Sequence, residues 1–576
     1  MRIALAQQNY HIGNFEENIS KILAAIHEAS RQGADLIVFS ELCICGYPPR
    51  DFLEFNDFIN KCYEAIDIIK ASAPEMGVIV GAPLRNPLRE GKDLFNAAWF
   101  LYNGKVHAIA SKTLLPTYDV FDEYRYFEPA YEWEVIVFKG RRIALTICED
   151  IWNFGDNPLY RSAPMDELIK QRPDLMINIS ASPFDYDHDD DRREVIIANV
   201  LKYKIPIVYC NTVGSQTEIV FDGGSLVMDS GGNIIRQLKT FEEDFAVVDL
   251  DDHAKTKKDD LKLAKNVKGD LQGLDKEMRV SRVTDPEQII DYLTDVKNIA
   301  QIKQALVLGI KDYFTKMGFK KAILGSSGGI DSAVTLALAC EALGSAQVRA
   351  VLMPSEFSTG HSVSDAEQLS RNLGNPYDII PIKGIYTTFL DTLNPVFGDL
   401  PFGIAEENIQ SRSRGNLLMA IANKFGYILL NTSNKSELAT GYGTLYGDMA
   451  GGLSVLGDVY KMQVFALAKY INRDKEIIPV NIITKPPSAE LRPGQKDSDS
   501  LPDYALLDKA LYQYIERRQG PKEMISMGMD ASLVNRIIKM VNSNEYKRNQ
   551  FCPIIRVSSK AFGVGRRMPI VGKYLS

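Results

Sequence analysis

Short apolar runs that end in polar residues recur along the first 250 positions. Residues 2–7 (RIALAQ) read as a buried strand and 15–31 as a helix. DLIVFSE (35–41), GVIVGAP (77–83), RIALTICED (142–150), DLMINISASP (174–183) and IPIVYCNTVG (205–214) repeat the strand pattern. Hairpin signals lie between some of them: VIVFKGRRIAL turns at Lys139-Gly140, and SLVMDSGGNIIRQL turns at Gly231-Gly232. Hairpins mixed with crossovers predict an α/β sandwich of layered sheets with helices outside, over residues 1–250.

The pattern stops at 251–278, which is dense in charge and nearly free of β-branched apolar residues. A charged linker over 251–284 is expected there, the alternative being a surface excursion within one domain. A second alternating series follows over 285–576. A helix is predicted over 287–317, then strands at KKAILG (320–325), VRAVLMP (348–354), YDIIPI (377–382) and YILLNTS (427–433), with amphipathic helices between. This predicts an open, mostly parallel, doubly wound sheet whose ligands sit beyond the carboxyl ends of the strands.

Length agrees with two domains, because single cores stop growing at about 250–300 residues and the chain has 576. A net charge of -8 offers no clustered basic surface for nucleic acid. No apolar run approaches the ~18 residues of a membrane span, and MRIALAQQNYHIG lacks a secretory pattern. Seven cysteines spread over the chain are an odd number and no disulfide framework, so a cytoplasmic setting is expected. Cys43-x-Cys45 is a single pair with no second ligand pair in sight, so Cys43, Cys45 and Cys62 read as small buried side chains.

Three polar residues stand at or near the ends of apolar runs in the first domain: Glu41, Lys112 and Cys148. A thiol attacks an amide carbonyl only as a thiolate, so a base must take its proton. Glu41 suits that role, and a lysine ammonium suits a tetrahedral oxyanion. Each residue alone is weak evidence. Glu41 in ELCICGYPP, Lys112 in SKTLLPTYDVFDEYRYF and Cys148 in TICEDIW together resemble the Glu-Lys-Cys amidases of the nitrilase superfamily. The resemblance implies an αββα sandwich with those three residues catalytic. Its glutaminase branch implies glutamine contacts at Tyr118 and Ser182, and a basic residue six positions after Ser182. This chain has His188 there, inside the acidic run DYDHDDD, and Ser215 where the branch has glycine.

In the second domain, KKAILG runs into Ser326-Ser327-Gly328-Gly329-Ile330-Asp331-Ser332 and a helical stretch. A glycine pair between strand and helix lets backbone N–H groups approach phosphate, and Asp331 suits Mg²⁺. The lysine of the Walker pattern is missing, and the bland alternative is a tight turn capped by Ser332. The full string resembles the loop of the N-type ATP pyrophosphatases. MPSEFST, EENIQSRSRGN, LNTSNKSELATGYGTLYGD, PSAELRPGQKDSDSLPDY and YKRNQFCPIIRVSSKAFGVGRRMPI resemble NAD synthetases over about 285–570. That resemblance implies ATP contacts at Gly325, Ser326, Ser327, Gly328, Gly329, Ile330, Asp331, Ser332 and Thr432. It implies deamido-NAD contacts at Asn408, Arg414, Glu437 and Lys547, Mg²⁺ at Asp331 and Glu437, and Lys461 on phosphate. Residue 326 is serine where leucine is expected.

The domain order is that of the glutamine-dependent members. It implies that ammonia freed at Cys148 reaches an adenylated nicotinate carboxylate, through an enclosed route that keeps it from protonating. The implied substrates are glutamine, deamido-NAD and ATP, and the implied assembly is a homo-oligomer. Two rivals stay open: another AMP-forming amidoligase with a different acceptor, and a nucleotide-sensing scaffold with dead sites.

Overall fold

The structure is a computed structural model that describes residues 1–72, 75–154, 159–186, 188–253 and 285–574. The stretch 251–284, expected to be a linker, lies outside the described residues from 254 onward. The chain divides into two compact units, Met1–Val280 and Ser281–Ser576.

The first unit holds two six-stranded sheets. One is built from β1 (Arg2–Gln7), β2 (Leu36–Val38), β3 (Gly77–Arg85), β4 (Leu94–Tyr102), β5 (Lys105–Ser111) and β14 (Asp244–Asp249), in the order β14-β1-β2-β3-β4-β5. The other is built from β6 (Ile136–Phe138), β7 (Arg141–Ile147), β8 (Leu175–Ser180), β9 (Ile207–Asn211), β12 (Leu226–Met228) and β13 (Ile234–Gln237), in the order β13-β12-β9-β8-β7-β6. β10 (Val213–Gln216) and β11 (Ile219–Asp222) form a separate hairpin.

The central strands β1, β2, β3, β7, β8 and β9 are almost continuously buried because both of their faces are covered. Ile3, Leu5, Val38 and Ile79 of the first sheet share one buried cluster with Ile143, Leu145, Ile177 and Val208 of the second, which is the sheet-on-sheet interior. The outer face of the first sheet packs on helices α1 (Phe15–Arg31) and α2 (Asn56–Ala71). The outer face of the second packs on α3 (Pro164–Leu168) and α4 (His188–Tyr203). The layers are therefore αββα.

The second unit carries a five-stranded parallel sheet of β15 (Ala322–Gly325), β16 (Val348–Leu352), β17 (Tyr377–Ile379), β18 (Ile428–Asn431) and β19 (Leu453–Ser454), ordered β17-β16-β15-β18-β19. Strand order reverses between β15 and β18, which is where a doubly wound sheet opens a ligand crevice. The helix expected over 287–317 is broken. Ile289–Leu293 ends at Thr294, and a new helix runs Val296–Met317. Asp295 causes the break, its carboxylate accepting from the backbone N–H of Lys297 and Asn298 as an N-cap.

Candidate active sites

Glu41 follows the short strand β2 and is buried. Gly81 on β3 lets the chain pass closely there: a Cβ at that position would lie 2.2 Å from the Leu42 backbone nitrogen. Lys112 comes directly after β5, and its Nζ donates to Glu41 Oε1 and to Glu123 Oε1, at 2.7 Å each. Asn96 Nδ2 donates to Glu41 Oε1 at 2.7 Å, and the Ala181 N–H, just past β8, donates to Glu41 Oε2 at 2.9 Å. Tyr47 Oη donates to Glu123 Oε1 at 2.7 Å.

Cys148 follows β7 and opens a one-turn 3-10 helix, Cys148–Ile151, with φ of 44°. A left-handed conformation at a non-glycine residue stores about 1–3 kcal/mol. Asp150 holds it: its carboxylate accepts from the N–H of Ile147 (3.0 Å), Thr113 (3.0 Å) and Leu114 (2.9 Å). The turn bearing the thiol is thus tied to the segment just after Lys112.

Burial pushes the Cys148 thiol well above its ordinary range and Glu41 adds to this, while Lys112 pulls the other way. The resting thiol is protonated, so attack requires a base. Burial works against the Lys112 ammonium, but Glu123 and Glu41 outweigh it and hold the group charged. Glu123 is pushed up to about 7 by burial, with Lys112 opposing and Glu41 adding. The centre can therefore move one proton between a thiol and a carboxylate beside a fixed cation, sealed from water.

Tyr118 Oη donates to Glu149 Oε2 at 2.9 Å, and Tyr160 Oη to Glu149 Oε1 at 3.0 Å, which puts Tyr118 against the neighbour of Cys148. Ser182 is buried, its N–H donating to Asn211 Oδ1 at 2.8 Å, one residue beyond the Ala181 N–H that holds Glu41. The structure brings both to the Cys148 region. α4 begins at His188, whose side chain lies outside the described residues. Ser215 is buried in the β10–β11 hairpin opposite Val220. Sequence reasoning missed Glu123 and Asn96. The available signal was the segment DVFDEYRYF after Lys112, which carries Glu123 eleven positions on.

In the second unit, Gly325 ends β15 and the loop to the helix Ile330–Leu343 lines a cavity at the carboxyl ends of β15, β16 and β18. Gly328 has φ of +76°, and a Cβ there would lie 2.2 Å from the Ser362 carbonyl oxygen, so glycine is required. Ser332 Oγ donates to the Gly329 carbonyl at 3.0 Å and accepts from the Ser327 N–H at 3.3 Å. Ser326 is buried against the cavity, and its hydroxyl has no hydrogen-bond partner among the described residues.

Lys461 Nζ donates to Asp331 Oδ2 at 2.6 Å and to Glu437 Oε1 at 3.4 Å, and Asn434 Nδ2 donates to Asp331 Oδ1 at 2.8 Å. Burial pushes Glu437 up to about 8, with Asp331 adding and Lys461 opposing. Thr432, Arg414 and Glu437 line the same cavity as the glycine loop. Asn408 and Lys547 lie off its lining and meet at another segment. Asn408 Oδ1 accepts from Thr444 Oγ1 at 2.7 Å, while Lys547 Nζ donates to the Gly441 and Gly443 carbonyls at 2.8 Å each.

Residues 2–258 match the carbon-nitrogen hydrolase family and residues 302–551 the NAD synthase family. The chain is 44% identical to a glutamine-dependent NAD(+) synthetase of Synechocystis sp. over 575 residues, covering 99% of this chain and 98% of the relative. It is 40% identical to that of Thermotoga maritima, covering 100% and 99%. The solved structure of the Acinetobacter baumannii enzyme in complex with ADP is 35% identical, with a TM-score of 0.73 over 100% of this chain and 99% of that one. At that identity and coverage, with both families matched in order along one polypeptide, the chain belongs to the glutamine-dependent NAD(+) synthetases.

Proposed function

We propose that this chain makes NAD from deamido-NAD, taking nitrogen from glutamine and cleaving ATP to AMP and pyrophosphate. The observation that carries the reading is the presence in one chain of a sealed Glu41–Lys112 pair beside the protonated Cys148 thiol and a glycine loop facing Lys461. Glu41 takes the Cys148 proton as sulfur attacks the glutamine carboxamide, Lys112 stabilises the oxyanion, and ammonia leaves with a proton returned by Glu41. Water activated by Glu41 then releases glutamate from the thioester. Tyr118 and Ser182 flank the bound glutamine.

In the second unit, the nicotinate carboxylate attacks the ATP α-phosphorus and pyrophosphate leaves. The Gly325–Ser332 loop, Thr432 and Lys461 hold the phosphates, the Ser326 hydroxyl being free to donate. Arg414 and Glu437 face the acceptor from the cavity wall, and Asn408 and Lys547 brace the 441–444 segment beside it. The donor set fits Mg²⁺. Asp331 and Glu437 meet on one ammonium at the wall of the cavity, a pair of hard oxygen donors of the kind Mg²⁺ takes. Mg²⁺ bound there supplies charge neutralisation on the phosphates. Ammonia then displaces AMP. The same reading expects a cytoplasmic enzyme that assembles from identical copies. It agrees with seven free thiols and with the lack, among the described residues, of a helix long and apolar enough to cross a membrane.

Cys148→Ala is the test. NAD formation from glutamine is expected to vanish while ammonium salts still support it, and Asp331→Ala is expected to remove both. Loss of both activities in a folded Cys148→Ala protein would contradict two separate centres.

A further inference from the structure

Five carboxylates line the ATP cavity, and four of them are committed elsewhere. Asp331 and Glu437 share Lys461. Asp448 accepts from the Thr444 N–H at 2.7 Å and from Ser411 Oγ at 2.9 Å, closing a turn. Glu490 accepts from the Thr359 N–H and hydroxyl and, at 2.6 Å, from Ser362 Oγ. The fifth is Asp497. It is 5% exposed, and its two oxygens accept from phenols: Tyr442 Oη to Oδ1 at 3.1 Å and Tyr504 Oη to Oδ2 at 2.9 Å. Among the described residues it has no cation within ion-pair distance. Nothing in the glutamine or adenylation chemistry uses it.

Both phenols are held protonated. Burial pushes Tyr442 upward and Asp497 adds to this; burial pushes Tyr504 upward, with Glu437 and then Asp497 adding. Each must therefore donate, which leaves the carboxylate as acceptor with a lone pair on each oxygen still unspent. Tyr504 is packed under Lys461, whose Nζ lies 5.1 Å from its ring centroid, so the phenol that orients Asp497 leans on the residue facing the phosphate loop.

We propose that Asp497 is the proton acceptor for amide formation, a role that rests on the AMP-forming reading above. As the ammonia nitrogen bonds to the acyl-adenylate carbonyl carbon, one N–H proton passes to an Asp497 oxygen. The C–O bond to AMP then breaks, with its electron pair leaving on the phosphate oxygen. Asp497 later returns its proton to water. Without a base, the positively charged nitrogen of the tetrahedral adduct is a better leaving group than AMP, and the adduct falls back.

Asp497→Asn in the full chain, supplied with ammonium, separates the two half-reactions. Deamido-NAD-dependent ATP–pyrophosphate exchange is expected to persist, while NAD formation falls about 10²–10⁴-fold, the usual worth of a general base. Replacing ammonia by hydroxylamine, whose adduct loses its proton readily to water, is expected to shrink that deficit about tenfold or more. Tyr504→Phe keeps the carboxylate and is expected to show the same split more weakly, which covers the case of an unfolded Asp497→Asn protein. Exchange and NAD formation falling together, or equal deficits with both nucleophiles, would overturn the assignment. A wild-type chain without deamido-NAD-dependent exchange would instead overturn the AMP-forming reading.

Discussion

Each unit buries a lysine between two carboxylates, and the two arrangements differ in how much water reaches them. Lys112 meets Glu41 and Glu123 at equal distances, with side-chain exposures of 0%, 0% and 5%. Lys461 meets Asp331 at 2.6 Å and Glu437 at 3.4 Å, and those carboxylates are 17% and 16% exposed. The first triad is closed and symmetric. Its three groups are held away from water, so Glu41 keeps a fixed place. The second triad is lopsided and opens on a cavity, so phosphate and cation can reach its wet side. In the function proposed above, the closed arrangement is the reaction centre and the open one the binding edge.

The largest expected effect comes from breaking the closed triad. Lys112→Met leaves Glu41 and Glu123 buried without their cation, which is expected to cost about 3–5 kcal/mol of stability. Turnover of glutamine should fall about 10²–10³-fold, the worth of one oxyanion donor. Denaturant unfolding and a glutaminase assay read the two, with ammonium-supported NAD formation as the control that the second unit is intact. A variant as stable as the parent would mean that the closed triad is not held together by charge pairing.

Breaking the open triad is expected to do less to the fold and a different thing to activity. Lys461→Met should lower NAD formation about 10²-fold with glutamine and ammonium alike, because a phosphate-facing cation is lost. Its stability loss should be less than half that of Lys112→Met, since water relieves Asp331 and Glu437. Equal losses in the two variants would erase the distinction between sealed and open lysines.

The comparison also separates what could be read from the chain. Glu41, Lys112 and Cys148 were legible because each sits at the end of an apolar run inside a family motif, and the loop 325–332 because its glycines and serines are contiguous. Glu123 was not, because its role depends on a fold-back that sets it 2.7 Å from Lys112, and nothing in EYR marks that return. Asp497 was hidden in the same way, since Tyr442 and Tyr504 reach it from separate segments. Most strands were readable as apolar runs. β4 and β5 were not singled out, although LFNAAWFLY is as continuously buried as the runs that were; KVHAIAS is buried on almost none of its residues. The break at Asp295 was missed because an apolar period of helical spacing continues on both sides of the cap.

The smallest expected effect concerns the proton on Glu123, and it sharpens the contrast at its centre. A buried carboxyl raised to about 7 from an ordinary 4.5 binds its proton more tightly in the folded chain than in the unfolded one. Below 4.5 both states are protonated, and the stabilisation from that tighter binding is fully present. As pH rises from 4.5 to about 7 the unfolded chain has released its proton and the folded chain has not, so stability is lost across that window and levels off above it. Glu123→Gln has no proton to lose. The melting temperature of the wild type minus that of Glu123→Gln should therefore decline from pH 4.5 to about 7 and be flat on either side. Scanning calorimetry over that range reads the difference directly. A flat difference throughout would mean that Lys112 keeps Glu123 ionised, and that the closed triad carries a full negative charge more than the one needed to take the Cys148 proton.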